Sequence, residues 1–211
     1  MNILITAGAT REPIDAVRFL SNVSTGRTGS LLADALATQG HTVTLLHGEA
    51  AVRPSHVSDT ETFSSTDSLQ AALRRRLGTG TYDAVIHCAA VSDYRPDTAH
   101  TGKMSSYAAE LTIRLVPTPK LLPELKAYAK PHPLKVVGFK LTAGADAPAR
   151  ALAVGKLFAS GTVDAVIHND MDDLATGDAR PFQAWTAGQP KALNLGGLDG
   201  LFGWFALFFE R

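Results

Sequence analysis

The chain opens with Asn2-Ile3-Leu4-Ile5-Thr6-Ala7-Gly8-Ala9-Thr10: a short apolar run that ends in a turn of small residues holding a glycine. A run that is apolar at nearly every position, without alternation, belongs to a strand covered on both faces. Runs of the same kind recur at residues 42–46, 84–87, 136–139 and 165–168. Segments of helical spacing lie between them. Residues 30–39 carry Leu31, Leu32, Ala35 and Leu36 on one face and stop at Gly40. Residues 68–77 carry Leu69, Ala72, Leu73 and Leu77, and residues 146–160 are followed by Gly161. Strands alternating with helices predict a parallel sheet with crossover helices. The expectation is one doubly wound, Rossmann-like α/β domain over residues 1–211, mainly parallel, with helices on both faces. Residues 111–116 alternate less regularly and are expected to pair at an edge. Pro117 and Pro119 then punctuate a loop before a short helix at residues 121–129.

The composition narrows the function classes. The 20 basic and 20 acidic side chains balance, so charge gives no reason to expect nucleic acid or an anionic membrane as a partner. Arg74-Arg75-Arg76 reads as the solvated end of a helix. One cysteine, Cys88, rules out an intrachain disulfide and disfavours a cysteine metal cluster. The opening residues carry no basic leader and read as a strand rather than a signal peptide. The most apolar stretch, residues 201–209, falls well short of the ~20 residues that span a bilayer. A cytoplasmic location is expected.

In a doubly wound sheet, ligands sit beyond the carboxyl ends of the strands. After the first strand the chain passes Gly8 and Thr10, then runs through Arg18, Ser21, Asn22, Ser24, Thr25, Gly26 and Gly29 before its helix. Hydroxyls, an amide and glycines ahead of a helix suit a phosphate seat, since unpaired N–H groups and the helix dipole favour an anion. An ordinary capped loop has the same composition. After the third strand, which ends at His87, the small residues Cys88-Ala89-Ala90 leave room for a flat group against the backbone. Asp93 suits an amine or a ribose hydroxyl, or else a turn cap. Cys88 reads as a small buried hydrophobe. Lys103 lies in a polar loop, Phe139 near a strand end is either a stacking ring or core, and Lys156 on a helix is by default a surface lysine. There is no Walker loop, no His-Glu-x-x-His pair and no Gly-x-Ser-x-Gly elbow.

Together these segments resemble the phosphopantothenoylcysteine synthetase family. The carriers are residues 6–15, Arg18-Phe19-Leu20-Ser21-Asn22-x-Ser24-x-Gly26-x-x-Gly29, residues 89–96, Lys103–Ser106, Gly138-Phe139 and Asn169-Asp170, in the family's order over about residues 2–170. The resemblance implies a ligase. The carboxylate of 4'-phosphopantothenate attacks the α-phosphate of a nucleoside triphosphate, and cysteine amine then displaces the monophosphate. It implies CTP as co-substrate, with ATP as the alternative, and Mg2+ accompanying the polyphosphate with no metal ligands assigned. It assigns Lys103, Asn22 and Arg18 to catalysis. Gly8, Thr10, Ser24, Thr25, Gly26, His87, Cys88, Ala89, Asp93, Lys103, Phe139 and Lys156 fall to the nucleotide, and Asn22 and Ala90 to the acyl substrate. It also implies a homodimer, with the decarboxylase on a separate chain.

Three positions depart from the family pattern. Ala9 stands where relatives carry a second glycine, and Ser160 replaces a helix lysine. Lys103-Met104-Ser105-Ser106 follows the shorter, separately encoded branch. Residues after 170 match poorly, and the apolar tail 201–209 is expected to meet a partner subunit, with packing within the chain as the alternative. Two rivals remain. A short-chain NAD(P) oxidoreductase needs Tyr-x-x-x-Lys, which none of Tyr82, Tyr94, Tyr107 and Tyr128 begins, and the first turn lacks Gly-x-Gly-x-x-Gly. Glu49 alone suits a ribose. The other rival is a non-catalytic, nucleotide-binding relative of the ligase.

Overall fold

Strand β1 (Asn2–Ala7) is the middle of the molecule, and its pleat divides the core in two. Ile3, Ile5 and Ala7 join one apolar cluster, while Leu4 joins the other. The computed structural model describes residues 1–107, 109–189 and 191–210. In chain order, β1 is followed by β2 (Arg11–Pro13), β3 (Phe19–Ser21), α1 (Arg27–Thr38), β4 (Thr42–Gly48) and β5 (Thr60–Phe63). Then come α2 (Thr66–Leu77), β6 (Ala84–His87), β7 (Tyr94–Pro96), β8 (Leu115–Pro117) and α3 (Leu125–Ala129). The last are β9 (Lys135–Thr142), α4 (Ala147–Phe158), β10 (Ala165–Asp170), β11 (Phe182–Thr186), β12 (Leu193–Leu195) and α5 (Gly197–Phe209).

Eight strands form the main sheet in the order β12-β11-β10-β9-β6-β1-β4-β5. The six from β10 to β5 run parallel, and β11 and β12 add an antiparallel margin. Leu32 and Leu36 of α1 pack with Leu201, Phe205 and Phe209 of α5 on one face. Leu69, Leu73 and Leu77 of α2, Leu125 and Ala129 of α3 and Val154 of α4 pack on the other. The predicted doubly wound architecture is therefore present, with helices on both faces.

The structure corrects three local expectations. Residues 111–116 do not reach the main sheet; only Leu115–Pro117 is a strand, paired with β7 in a separate ribbon. Pro117 offers no N–H to a ladder, which suits it to such a margin. The actual margin is β11 and β12, with Phe182 and Ala184 buried on either side of Gln183. The arginines at the end of α2 are not merely solvated. Arg75 and Arg76 pair with Glu61 of β5, the latter at 2.9 Å, and Arg74 lies 4.8 Å from the Tyr128 ring centroid.

The tail is the third case. Leu198, Leu201, Phe205 and Phe209 of α5 are buried in the core of the chain itself, so packing within the chain accounts for most of the segment. Trp204 stacks on Phe208 with centroids 4.7 Å apart, half-buried at the margin, and Leu207 is 61% exposed. Phe205→Ala should cost about 3–5 kcal/mol, the range for emptying a buried phenyl site. Leu207→Ser should stay within about 0.5 kcal/mol. Denaturant unfolding of the two variants measures both. A loss at Leu207 as large as that at Phe205 would place a covering surface over α5.

Candidate functional site

From β1 the chain steps to β4 and β5 on one side, then returns to place β6 on the other side of β1. That reversal opens a crevice beyond the carboxyl ends of β1 and β6, the position where open α/β sheets take ligands. Its floor is backbone. Cys88 N donates to Thr6 O at 3.1 Å, Ala90 N to Gly8 O at 2.8 Å and Thr10 N to Ala90 O at 3.2 Å. Ala9 and Ala90 continue the parallel pairing as a bridge beyond the strands. A base lying on residues 88–90 would find their N–H groups already engaged, because Ala89 N also donates to Thr6 Oγ1 at 3.1 Å.

The wall opposite is the start of α1. Gly26 caps it with φ 72° and no side chain of its own; in the first turn only the N–H of Arg27 is seen to reach a side chain, Thr25 Oγ1 at 3.4 Å, among the described residues. Ser24 is half-buried and Thr25 exposed ahead of it. Arg180, from the segment before β11, donates to Thr28 in the first turn of α1, and its Nε is buried without a partner among the described residues. Arg27 pairs with Asp178, one of the two contacts being 2.9 Å. Nothing in the motif pattern signalled Arg27 or Arg180; only the return of the chain across the sheet places Arg180 there.

Asn22 follows the β2–β3 ribbon and donates its amide to Val91 O at 3.0 Å, which fixes it at the crevice rim. Its second amide hydrogen is a further donor. Lys103 is exposed and makes no ion pair among the described residues. Arg18, assigned to catalysis with Asn22 by the resemblance, donates to Met104 O at 3.0 Å and so supports the Lys103 loop. Arg18 and Asn22 flank β3, and an extended chain separates them by about 13 Å. The register His87↔Gly138 sets half-buried Phe139 level with Cys88, so these two are brought together. Asp93 is exposed and paired with Lys120.

Three expected contacts are not available as side chains. Thr10 is fully buried, its hydroxyl accepting from Ser92 N at 3.0 Å. His87 is buried against Thr6 Oγ1 at 2.9 Å, and burial pushes its pKa down to about 4, so it stays neutral near pH 7. Lys156 lies in the last turn of α4, which descends from the carboxyl edge; ten residues at 1.5 Å each carry it about 15 Å away. Ser160 lies further still. A cavity of about 410 Å³ at that amino edge, lined by Val154, Gly155, Phe158 and Trp185 among others, holds none of the expected residues. Burial raises the Cys88 thiol to about 12, which leaves it protonated and unsuited to nucleophilic attack.

Comparison with known proteins agrees with this fold. The family model described as DNA/pantothenate metabolism flavoprotein C-terminal domain matches residues 1–186. The Coenzyme A biosynthesis bifunctional protein CoaBC of Escherichia coli is 38% identical over 143 residues, covering 66% of this chain. The chain spans about a third of that relative's length, 34%. The crystal structure of the DNA/pantothenate metabolism flavoprotein from Streptococcus pneumoniae superposes with a TM-score of 0.88 at 24% identity, covering 100% of this chain and 98% of its own. A Cab2 variant in complex with phosphopantothenate-cysteine superposes at 0.75 with 16% identity, covering 100% and 89%.

His87 yields a pH prediction. The unfolded imidazole takes a proton near 6.5 and the folded one only near 4, so acid favours the unfolded chain between those values. Stability from this group is complete above pH 6.5 and is lost as pH falls toward 4. Between pH 7 and pH 5 the loss is about 2 kcal/mol. Denaturant titrations at both pH values should show a smaller difference for His87→Gln than for the unaltered chain. Equal differences would mean that the imidazole is not excluded from protons.

Proposed function

Since the chain belongs to the DNA/pantothenate metabolism flavoprotein C-terminal domain family, we propose that it ligates 4'-phosphopantothenate to cysteine through an acyl-nucleotide. The observation that carries this reading is the crevice beyond β1 and β6, whose floor is flanked by the start of α1 and by a fixed amide at Asn22; Lys103, on a loop tied to the β2–β3 turn, makes no ion pair among the described residues. The names of the relatives support the substrate class, one acting in coenzyme A biosynthesis and one complexed with phosphopantothenate-cysteine.

In the first step the pantothenate carboxylate attacks the α-phosphate of the triphosphate. The bond to the β-phosphate bridging oxygen breaks, and pyrophosphate leaves. Such a step needs charge neutralised and groups aligned more than it needs a covalent catalyst. Lys103 supplies that charge from its loop, and the first turn of α1, with Ser24, Thr25 and Gly26, receives phosphate oxygens. In the second step the cysteine amine attacks the acyl carbon, the monophosphate departs, and the amine proton is lost to solvent. Asn22 donates to the oxyanion that forms. CTP is the co-substrate in this proposal, with the base against the backbone of residues 88–90 and ATP as the competing nucleotide.

Mg2+ would enter with the polyphosphate. Among the described residues no group of three or more His, Cys, Asp or Glu side chains gathers. That fits an ion held mostly by phosphate oxygens and water. The active form is a homodimer in this proposal, and decarboxylation of the product falls to a separate chain.

Pyrophosphate release from CTP or ATP, with and without 4'-phosphopantothenate, tests the reading directly. Lys103→Gln should slow release roughly a hundred- to thousandfold. Asn22→Asp should still release pyrophosphate but accumulate acyl-nucleotide when cysteine is present, because its charge opposes the oxyanion. Binding of a triphosphate with no release under any substrate combination would reduce the protein to a binding module.

A further inference from the structure

The turn between β2 and β3 holds a buried carboxylate that the ligase steps do not use. Asp15 is 5% exposed. Its Oδ1 accepts from Val17 N at 2.9 Å and Arg18 N at 2.8 Å, an ordinary turn-closing arrangement. That turn needs only one oxygen. The other, Oδ2, reaches across the sequence to Met104 N at 3.1 Å and lies 3.5 Å from Arg18 Nε. Arg18 in turn holds Met104 O at 3.0 Å. Both backbone polar groups of Met104 are thus held by one carboxylate–guanidinium pair. Four residues earlier, His100 N donates to Ile14 O at 3.0 Å, so the loop is stitched to the same turn at two points. Lys103 lies between the stitches, with its Cα one peptide, about 3.8 Å, from that of Met104.

We propose that Asp15 is a positioning residue for Lys103, with Arg18 as its partner: together they form a clasp that holds the lysine loop against the β2–β3 turn. The same turn leads through β3 to Asn22, so the groups assigned to the two half-reactions share one base. The N–H of Val17, with those of Met104 and Arg18 and the Arg18 charge, keeps the carboxyl below its ordinary range despite burial. The clasp is therefore fully charged above the unfolded carboxyl range and weakens only as pH falls through the lower folded value.

Asp15→Asn separates clasp from turn. Its remaining oxygen can still close the turn on Val17 and Arg18, while its NH2 group faces the N–H of Met104 and the Nε of Arg18, donor against donor. The catalytic half of this proposal rests on the ligase reading, but the structural half does not. Trypsin cleavage after Lys103 reports the loop without any turnover. Asp15→Asn should be cut there roughly tenfold faster or more, as expected when a hydrogen bond to a charged group is lost and the open form rises. Its thermal midpoint should stay near that of the unaltered chain.

In the pyrophosphate assay kcat should fall by up to about a hundredfold, with KM for the triphosphate little changed, because a misplaced charge affects the transition state most. Arg18→Gln removes the hold on Met104 O from the other side and should show the same protease phenotype, which keeps the test open if Asp15→Asn folds poorly. Unchanged cleavage in both variants overturns the clasp. Faster cleavage with an unchanged kcat overturns its positioning role. If the unaltered chain releases no pyrophosphate, the ligase reading fails, and the trypsin result still decides the clasp.

Discussion

The site depends on one steric constraint: three chain segments meet at the carboxyl edge backbone to backbone around the methyl of Ala51, with no space for a further side chain between them. A Cβ on Gly8 would come within 2.7 Å of Ala51 Cβ and 3.2 Å of Gly48 N. One on Gly26 would lie 2.9 Å from Gly8 N. Both residues also sit at positive φ, where a side chain is strained whatever the space. Any substitution there has to separate the turn after β1 from the start of α1, and with it the crevice wall from the crevice floor. Because the contact is between backbones, the crevice shape is set by the sheet itself rather than by rotamers.

Buried hydroxyls extend that rigidity into the loops. Thr6 Oγ1 joins His87 Nδ1 and Ala89 N, tying the end of β1 to the segment after β6. Thr66 donates its hydroxyl to Glu12 Oε1 at 2.6 Å, and its N–H reaches the same oxygen at 2.9 Å. Glu12 is only 2% exposed, so its carboxylate would be costly here without those donors. With them it anchors the β2–β3 ribbon to the start of α2. The ribbon that carries Arg18 and Asn22 is therefore fixed at its root, and only the loop beyond Asp97 depends on the clasp.

Much of this was legible in the sequence because it is written in local pattern. Continuous apolar runs marked the five central strands, and helical spacing marked α1, α2 and α4 to within a few residues. The ordered motifs likewise led to Asn22, Lys103 and the Gly8 and Gly26 turns. What escaped notice is what depends on long-range return of the chain. Thr10 and His87 carry the right chemistry in the right motifs, yet they point inward. Their neighbours in space, Ser92 and Thr6, lie some 80 residues away in sequence. Lys156 lies at the correct sequence distance from β9, but a helix that begins at the carboxyl edge ends at the opposite one. Strands β11 and β12 were missed because three to five residues of modest pattern cannot be told from loop without their partners.

The division between a rigid floor and tethered loops has a chemical logic on the ligase reading. The two half-reactions turn on different atoms: the first on the α-phosphorus, from which pyrophosphate leaves, and the second on the acyl carbon, which the amine attacks as the monophosphate leaves. A group that serves only the first step must approach and withdraw, whereas one that serves the second must already be in place when the amine arrives. Lys103 stands on a loop held by hydrogen bonds at residues 100 and 104, a hold that can be released. Asn22 instead sits at the end of a strand pair and is bonded to Val91, directly beyond the floor. Charge follows the same division. Arg27 is largely neutralised by Asp178, and Arg180 is anchored on Thr28 at the helix start, while Lys103 makes no ion pair among the described residues. On that reading a polyphosphate entering the crevice would meet fixed donors at α1, and Lys103 would reach it only as its loop releases.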